Sequence, residues 1–198
     1  AMGHPFYPAG PVSLSDFDSY VAAMKDVHVL VDHEDRKARI ADQLEQVAAT
    51  KQLQPVVDDN LLDEVTGLVE WPNVIMGQIE TEFMSLPPEV LVTSMRVHQK
   101  FFALSQKGAT ENLAPFFMTV TNRRSDLVND KLIAAGNERV LRARLADAKF
   151  FYEQDKQTPL DSLAEKLEVI TFYEGLGSVA DKAERMAALA GAMANQLD

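Results

Sequence analysis

Residues Gly136 to Tyr152, GNERVLRARLADAKFFY, bring three arginines, Arg139, Arg142 and Arg144, into one helical segment of a chain whose formal net charge is −11. Guanidinium groups at this density suit one kind of chemistry, the binding of phosphate or carboxylate oxygens through paired N–H donors. At about 100° per residue, Leu141, Leu145, Ala148 and Tyr152 fall within a narrow arc and form the expected core stripe, which Val140 and Phe151 widen on one side. Arg139 and Arg142 lie three apart on another face, with Lys149 nearby, and are candidates for contact with RNA or a protein partner. Arg144 falls at the apolar edge. A structural role competes, because Glu138 and Arg142 have i,i+4 spacing and Arg144 and Asp147 have i,i+3 spacing. Exposed pairs of that kind are worth about 0.3 to 0.5 kcal/mol each. Spacing alone leaves both readings open.

Other chemistry-bearing residues are sparser. Arg96, His98, Gln99 and Lys100, in SMRVHQKFF, form a second cationic cluster, and Arg124 extends the basic strip if the fold brings it close. Ser94 is near His98, but no carboxylate completes a relay, so a hydrogen-bonded structural histidine is the expected role there. His28 and His33 flank Asp32, with Glu34 and Asp35 following, which is a conceivable imidazole and carboxylate ligand set. Acidic residues in the first turn of a helix account for the same pattern through the helix dipole. No GxxxxGK[ST] or GxGxxG loop occurs, and the pair Gly175 and Gly177 reads as a turn between two elements.

Composition narrows the class. A chain of 198 residues, 46% hydrophobic, is long enough to bury a substantial core. A pI near 4.8 argues against a protein that wraps nucleic acid with its whole surface. Cysteine is absent, which removes thiolate metal sites, cysteine nucleophiles and disulfides. No run approaches the roughly 18 apolar residues of a membrane span, and AMGHPFYPAG has neither the charged nor the apolar region of a signal peptide. A soluble, cytoplasmic protein is expected.

The elements that must position these residues follow from periodicity and punctuation. Residues 1–12 read as an extended lead-in. Ser15 and Asp16 offer caps to a short helix carrying Phe17, Tyr20, Val21 and Met24. Val27 to Val31 reads as a strand, and Asp32 caps a helix from His33 to about Lys51, closed by Pro55. A further helix starts at Asp58 and ends at Trp71-Pro72, because a residue before proline is driven out of the helical region. Val74 to Ile79 is a predicted strand, and Pro87-Pro88 opens a helix to Gln99. Phe101 to Leu104 and Pro115 to Thr121 read as a hairpin around SQKGATEN. Helices are predicted over about 130–154, 159–169 and 179–197. The mixture places the chain in the α+β (mixed α/β) class.

Four runs carry a family resemblance: LVEWP at 68–72, LPPEVLVTSMRVHQKFF at 86–102, GNERVLRARLADAKFFYEQD at 136–155 and LGSVADKAERM at 176–186. In order and spacing they resemble the β subunit of bacterial tetrameric glycyl-tRNA synthetase, from about Gly3 onward. The resemblance implies a fragment of a much longer subunit. It implies that 13–172 is similar to the B3/B4 domain of the phenylalanyl-tRNA synthetase β subunit and that 173–198 opens a truncated HD-type helical domain. It further implies a noncatalytic part of glycine-tRNA ligase within a heterotetramer, supporting attachment of glycine to tRNA(Gly) through tRNA binding and assembly. The implied partners are the α subunit, the remainder of β and tRNA(Gly), with no membrane and no DNA. ATP and Mg belong to the α subunit, with no cofactor or catalytic residue in this stretch. Two alternatives stand beside it, an aminoacyl-tRNA editing hydrolase and a purely structural scaffold. Editing is the less needed, since a pocket for glycine excludes larger amino acids sterically.

Overall fold

The computed structural model describes residues 3–5, 7 and 15–197, so the predicted lead-in over 1–12 lies outside the described residues except at 3–5 and 7. The chain forms two compact units, residues 1–149 and 150–198.

The first unit is built on a four-stranded antiparallel sheet in the order β1-β3-β4-β2. Its strands are β1 (Leu53–Pro55), β2 (Pro72–Gln78), β3 (Phe102–Gln106) and β4 (Ala109–Asn122). Helix α1 (Phe17–Asp26) starts at Asp16, whose carboxylate accepts the Ser19 N–H while the Ser19 hydroxyl takes the Asp16 N–H. Helix α2 (His33–Ala49) is capped by Asp32, which accepts from the backbone of Glu34 and Asp35. Helix α3 (Asp59–Thr66) is capped in the same way by Asp58. Helix α4 (Pro88–Gln99) opens on proline, whose fixed φ suits the first turn, and ends at Lys100 in the left-handed conformation.

Ile40, Leu44 and Ala48 of α2 and Leu61 and Val65 of α3 meet Val74, Phe102, Leu104 and Met118 on one face of the sheet. Strand alternation turns Ile75, Gly77, Ala103 and Phe117 to the other face. There Gly77 pairs directly with Phe117, whose ring stacks on Phe101 at 4.4 Å between centroids. A β-carbon on Gly77 would meet the Phe117 ring, so glycine is what lets the ring lie flat over the neighbouring strand.

Several predicted elements shift. No strand forms over Val27 to Val31: His28 has φ +62°, and single hydrogen bonds, His4 N to Val27 O and Leu30 N to Glu70 O, replace a ladder. Helix α3 stops at Thr66 rather than reaching Trp71, since Gly67 follows it and Trp71 leads into β2. The hairpin is tighter than predicted: β3 and β4 run through SQKGATEN and turn at Lys107 and Gly108, the latter at φ +78°.

Helix α5 (Leu127–Gln157) is the long arginine-bearing helix. The second unit contains its last residues, α6 (Leu160–Ala164), a 3-10 turn (Glu165–Val169), a small hairpin of β5 (Thr171–Tyr173) and β6 (Gly177–Ser178), and α7 (Val179–Leu197). Gly175 and Gly177 take positive φ in the hairpin, so the predicted turn is present. No described residue of this unit is buried. Among the described residues no helix is long and apolar enough to cross a membrane.

Candidate phosphate-contact and docking surfaces

Leu141 and Leu145 of α5 are 1% and 0% exposed and anchor the helix; with Ile79 and Phe83 they line a pocket of about 220 Å³. Ala148 and Tyr152 are half-buried, in keeping with the predicted stripe. Val140 and Phe151 do not widen it: both are exposed, at 44% and 62%. The stripe is therefore narrow, about the width of a single seam.

The cations on α5 divide. Arg142 Nε pairs with Glu80 Oε1 at 2.5 Å, and Lys149 Nζ pairs with Glu82 Oε2 at 3.0 Å. Both acids flank or lie in the 3-10 turn Thr81–Ser85 that follows β2, so these cations tether helix to turn. Glu138 is not the partner of Arg142 that i,i+4 spacing predicts. Its Oε1 accepts the Gln78 N–H at 2.8 Å, leaving Arg142 to the nearer acid of the turn. Arg139 and Arg144 are exposed and pair with no carboxylate among the described residues, so the predicted Arg144–Asp147 pair is absent as well.

The second cluster faces α3. Arg96 pairs with Asp58 and Lys100 Nζ with Glu64 Oε1 at 2.7 Å, joining the end of α4 to the start and middle of α3. Burial by itself would raise the Asp58 carboxyl. Hydrogen bonds from Arg96 and from the Leu61 N–H, with the charge of Arg96, outweigh it and hold the group below its ordinary value of 3.8. A lowered carboxylate pKa contributes stability that is complete above the ordinary value and lost as pH falls through the lowered one. Arg96→Ala should therefore unfold at a lower temperature than the parent at neutral pH, with the gap closing as the pH falls from neutral to below the ordinary carboxyl value of 3.8. Melting curves across that range check it; a gap independent of pH would contradict it. His98 is exposed and Gln99 half-buried, and Ser94 Oγ donates to Val90 O rather than engaging His98.

Arg124 belongs to neither group. Its guanidinium lies 5.7 Å from the Tyr7 ring centre, and its backbone N–H donates to the Tyr7 hydroxyl at 2.8 Å. Tyr7 lies 5.0 Å from His28, His28 is 4.9 Å from Trp71, edge to face, and Arg39 covers the Trp71 ring at 4.2 Å. Next to Trp71 in space, Asn122 Oδ1 accepts the N–H groups of Glu70 and Trp71 at 2.9 Å each. Two backbone donors fix that oxygen as an acceptor, so His4 Nε2, 3.0 Å away, carries the donated proton. Tyr7, His28, Arg39 and Trp71 were not legible as a group, since they come from four separated segments with no shared period. His28 is thus an aromatic neighbour, and among the described residues no group of three or more His, Asp or Glu side chains is placed to hold a metal.

Known proteins share this chain's pattern from end to end. The family model described as glycyl-tRNA synthetase beta subunit matches residues 1–198. The glycine–tRNA ligase beta subunit of Rhodospirillum centenum is 44% identical over 195 residues, 98% of this chain and 27% of the relative. That of Bacillus subtilis is 44% identical over 196 residues, 99% of this chain and 28% of the relative. That of Synechocystis is 43% identical over 197 residues, 100% of this chain and 27% of the relative. The chain thus spans little more than a quarter of the length of these relatives.

Proposed function

The chain belongs to the glycyl-tRNA synthetase β-subunit family, and from that premise we propose that it serves the attachment of glycine to tRNA(Gly) as a noncatalytic stretch of the β subunit. In this reading it offers a surface to tRNA and to the rest of the assembly, while ATP and Mg act at the α subunit in the cytoplasm. The finer fold reading is part of the same proposal: a B3/B4-like region over 13–172, then the opening of an HD-type helical domain at 173–198.

The observation that carries the proposal is the division of cations on α5. Arg142 and Lys149 are committed to Glu80 and Glu82, whereas Arg139 and Arg144 stand exposed on the same helix without a carboxylate among the described residues. Unpaired guanidinium groups on an acidic chain favour an anionic visitor, because each keeps its N–H fork open.

The test uses the assembled enzyme with tRNA(Gly). Changing Arg139 and Arg144 together to alanine is expected to weaken tRNA binding about three- to tenfold and to lessen its salt dependence, leaving the melting temperature in place. Arg142→Ala is expected to cost about 0.2 to 1 kcal/mol of stability and little affinity, as an exposed ion pair should. Unchanged affinity and salt dependence in the Arg139 and Arg144 variant would end the contact role of α5.

A further inference from the structure

The row Arg124, Tyr7, His28, Trp71, Arg39 alternates cation, three aromatic rings and cation, with each step between 4.2 and 5.7 Å. Six other cations of the first unit are neutralised: Lys37 by Asp63, Arg96 by Asp58, Lys100 by Glu64, Arg123 by Asp126, Arg142 by Glu80 and Lys149 by Glu82. Arg39 and Arg124 differ. Among the described residues neither has a carboxylate partner; Arg39 Nε donates to the Pro72 carbonyl at 3.3 Å. A guanidinium set over the face of an aromatic ring is attracted without being neutralised, so N–H groups not otherwise bonded stay available to an anion.

The local field agrees with that picture. The His28 imidazole is held below its ordinary value first by burial, then by electrostatic repulsion, from the Arg124 guanidinium above all and also from Arg39. A place where neighbouring cations push a histidine towards neutrality is electropositive, although the chain as a whole carries −11. Separated, preset cations with polar and aromatic groups between them fit an extended polyanion.

We propose that Arg39 and Arg124, set at the two ends of the Tyr7, His28 and Trp71 row, form a second contact surface for the phosphodiester backbone of RNA. The inference rests on the reading that the assembly handles tRNA, but not on α5. The row positions the two guanidinium groups, and each engages a different phosphate of the same strand.

The experiment is a tRNA(Gly) titration of the full α and β assembly at salt from about 50 to 200 mM, comparing the parent with Arg39→Gln/Arg124→Gln. Loss of two phosphate contacts should lower the slope of log affinity against log salt by about 1.4 to 1.8. Arg39→Lys/Arg124→Lys, which keeps the charges, should restore most of the slope. Arg124→Gln alone should remove about half of it. That single change touches an exposed side chain, so it keeps the test alive if the double variant fails to fold. An unchanged slope in a folded variant, with the parent binding tRNA normally, overturns the surface and leaves the proposed function standing. An unchanged slope with lost α-subunit assembly overturns it in favour of a protein contact. Failure of the parent assembly to bind tRNA would instead remove the reading on which the inference rests.

Discussion

Gly77→Ala is expected to destabilise the first unit by about 1 to 3 kcal/mol, a large effect for one methyl group. The added carbon would sit 2.4 Å from Phe117 Cζ and 2.6 Å from Cε1, closer than non-bonded carbons approach. The ring has little room to yield: Phe117 is 0% exposed and stacks on Phe101 with an interplanar angle of 16°. Removing the ring is costly for the opposite reason, and Phe117→Ala should lose about 3 to 5 kcal/mol by emptying its site. Gly77→Ala combined with Phe117→Leu should cost less than the sum of its parts, because the smaller side chain vacates the space the methyl needs. Urea unfolding of the four proteins measures the coupling. Strict additivity would mean that glycine and ring do not compete for one volume.

Asn122→Ala is the second large expected effect. One oxygen accepts three donors, from Glu70 N, Trp71 N and His4 Nε2, and its removal breaks all three hydrogen bonds at once. At about 1 kcal/mol for each of the two part-buried bonds, and less for the exposed Glu70 N–H, the loss should come to about 2 kcal/mol. His4, 1% exposed, has no direct access to replacement water. Asn122→Asp keeps the acceptor oxygen and should hold most of the stability. Melting temperatures of the two variants decide the matter: if alanine and aspartate are equally damaging, the shared oxygen is not what ties residues 4, 70 and 71 together.

What was legible in the sequence was local. Asp16, Asp32 and Asp58 announce the starts of α1, α2 and α3 by a chemistry confined to three or four residues; the first two cap as predicted, and Asp58, expected as the first residue of its helix, is the cap instead. The class, mixed α and β, and the family followed from such elements and from long specific runs such as NERVLRARLADA. Strand β1 was missed because three residues ending in proline carry no alternation. Val27 to Val31 was misread because apolar content looks like a strand whether or not a neighbour offers a ladder. The face of α5 was legible at Leu141 and Leu145, but its ion pairs were not. Helical spacing sees only partners on the same helix, and Glu80 and Glu82 arrive from a turn sixty residues away. The Arg39 to Arg124 row was invisible for the same reason, since only the fold brings its segments side by side.

The strand order β1-β3-β4-β2 also sets a timetable. Only β3 and β4 are joined by a tight turn, so the hairpin Phe102–Asn122 can close on its own in microseconds. Its two flanking strands precede it in the chain, which means that a ribosome delivers β1 and β2 before anything exists for them to pair with. Val74 and Ile75, bound for opposite faces of the finished sheet, spend that interval without a ladder. The topology therefore predicts a sheet that assembles outward from its middle, with its earliest-made strands the last to find their places.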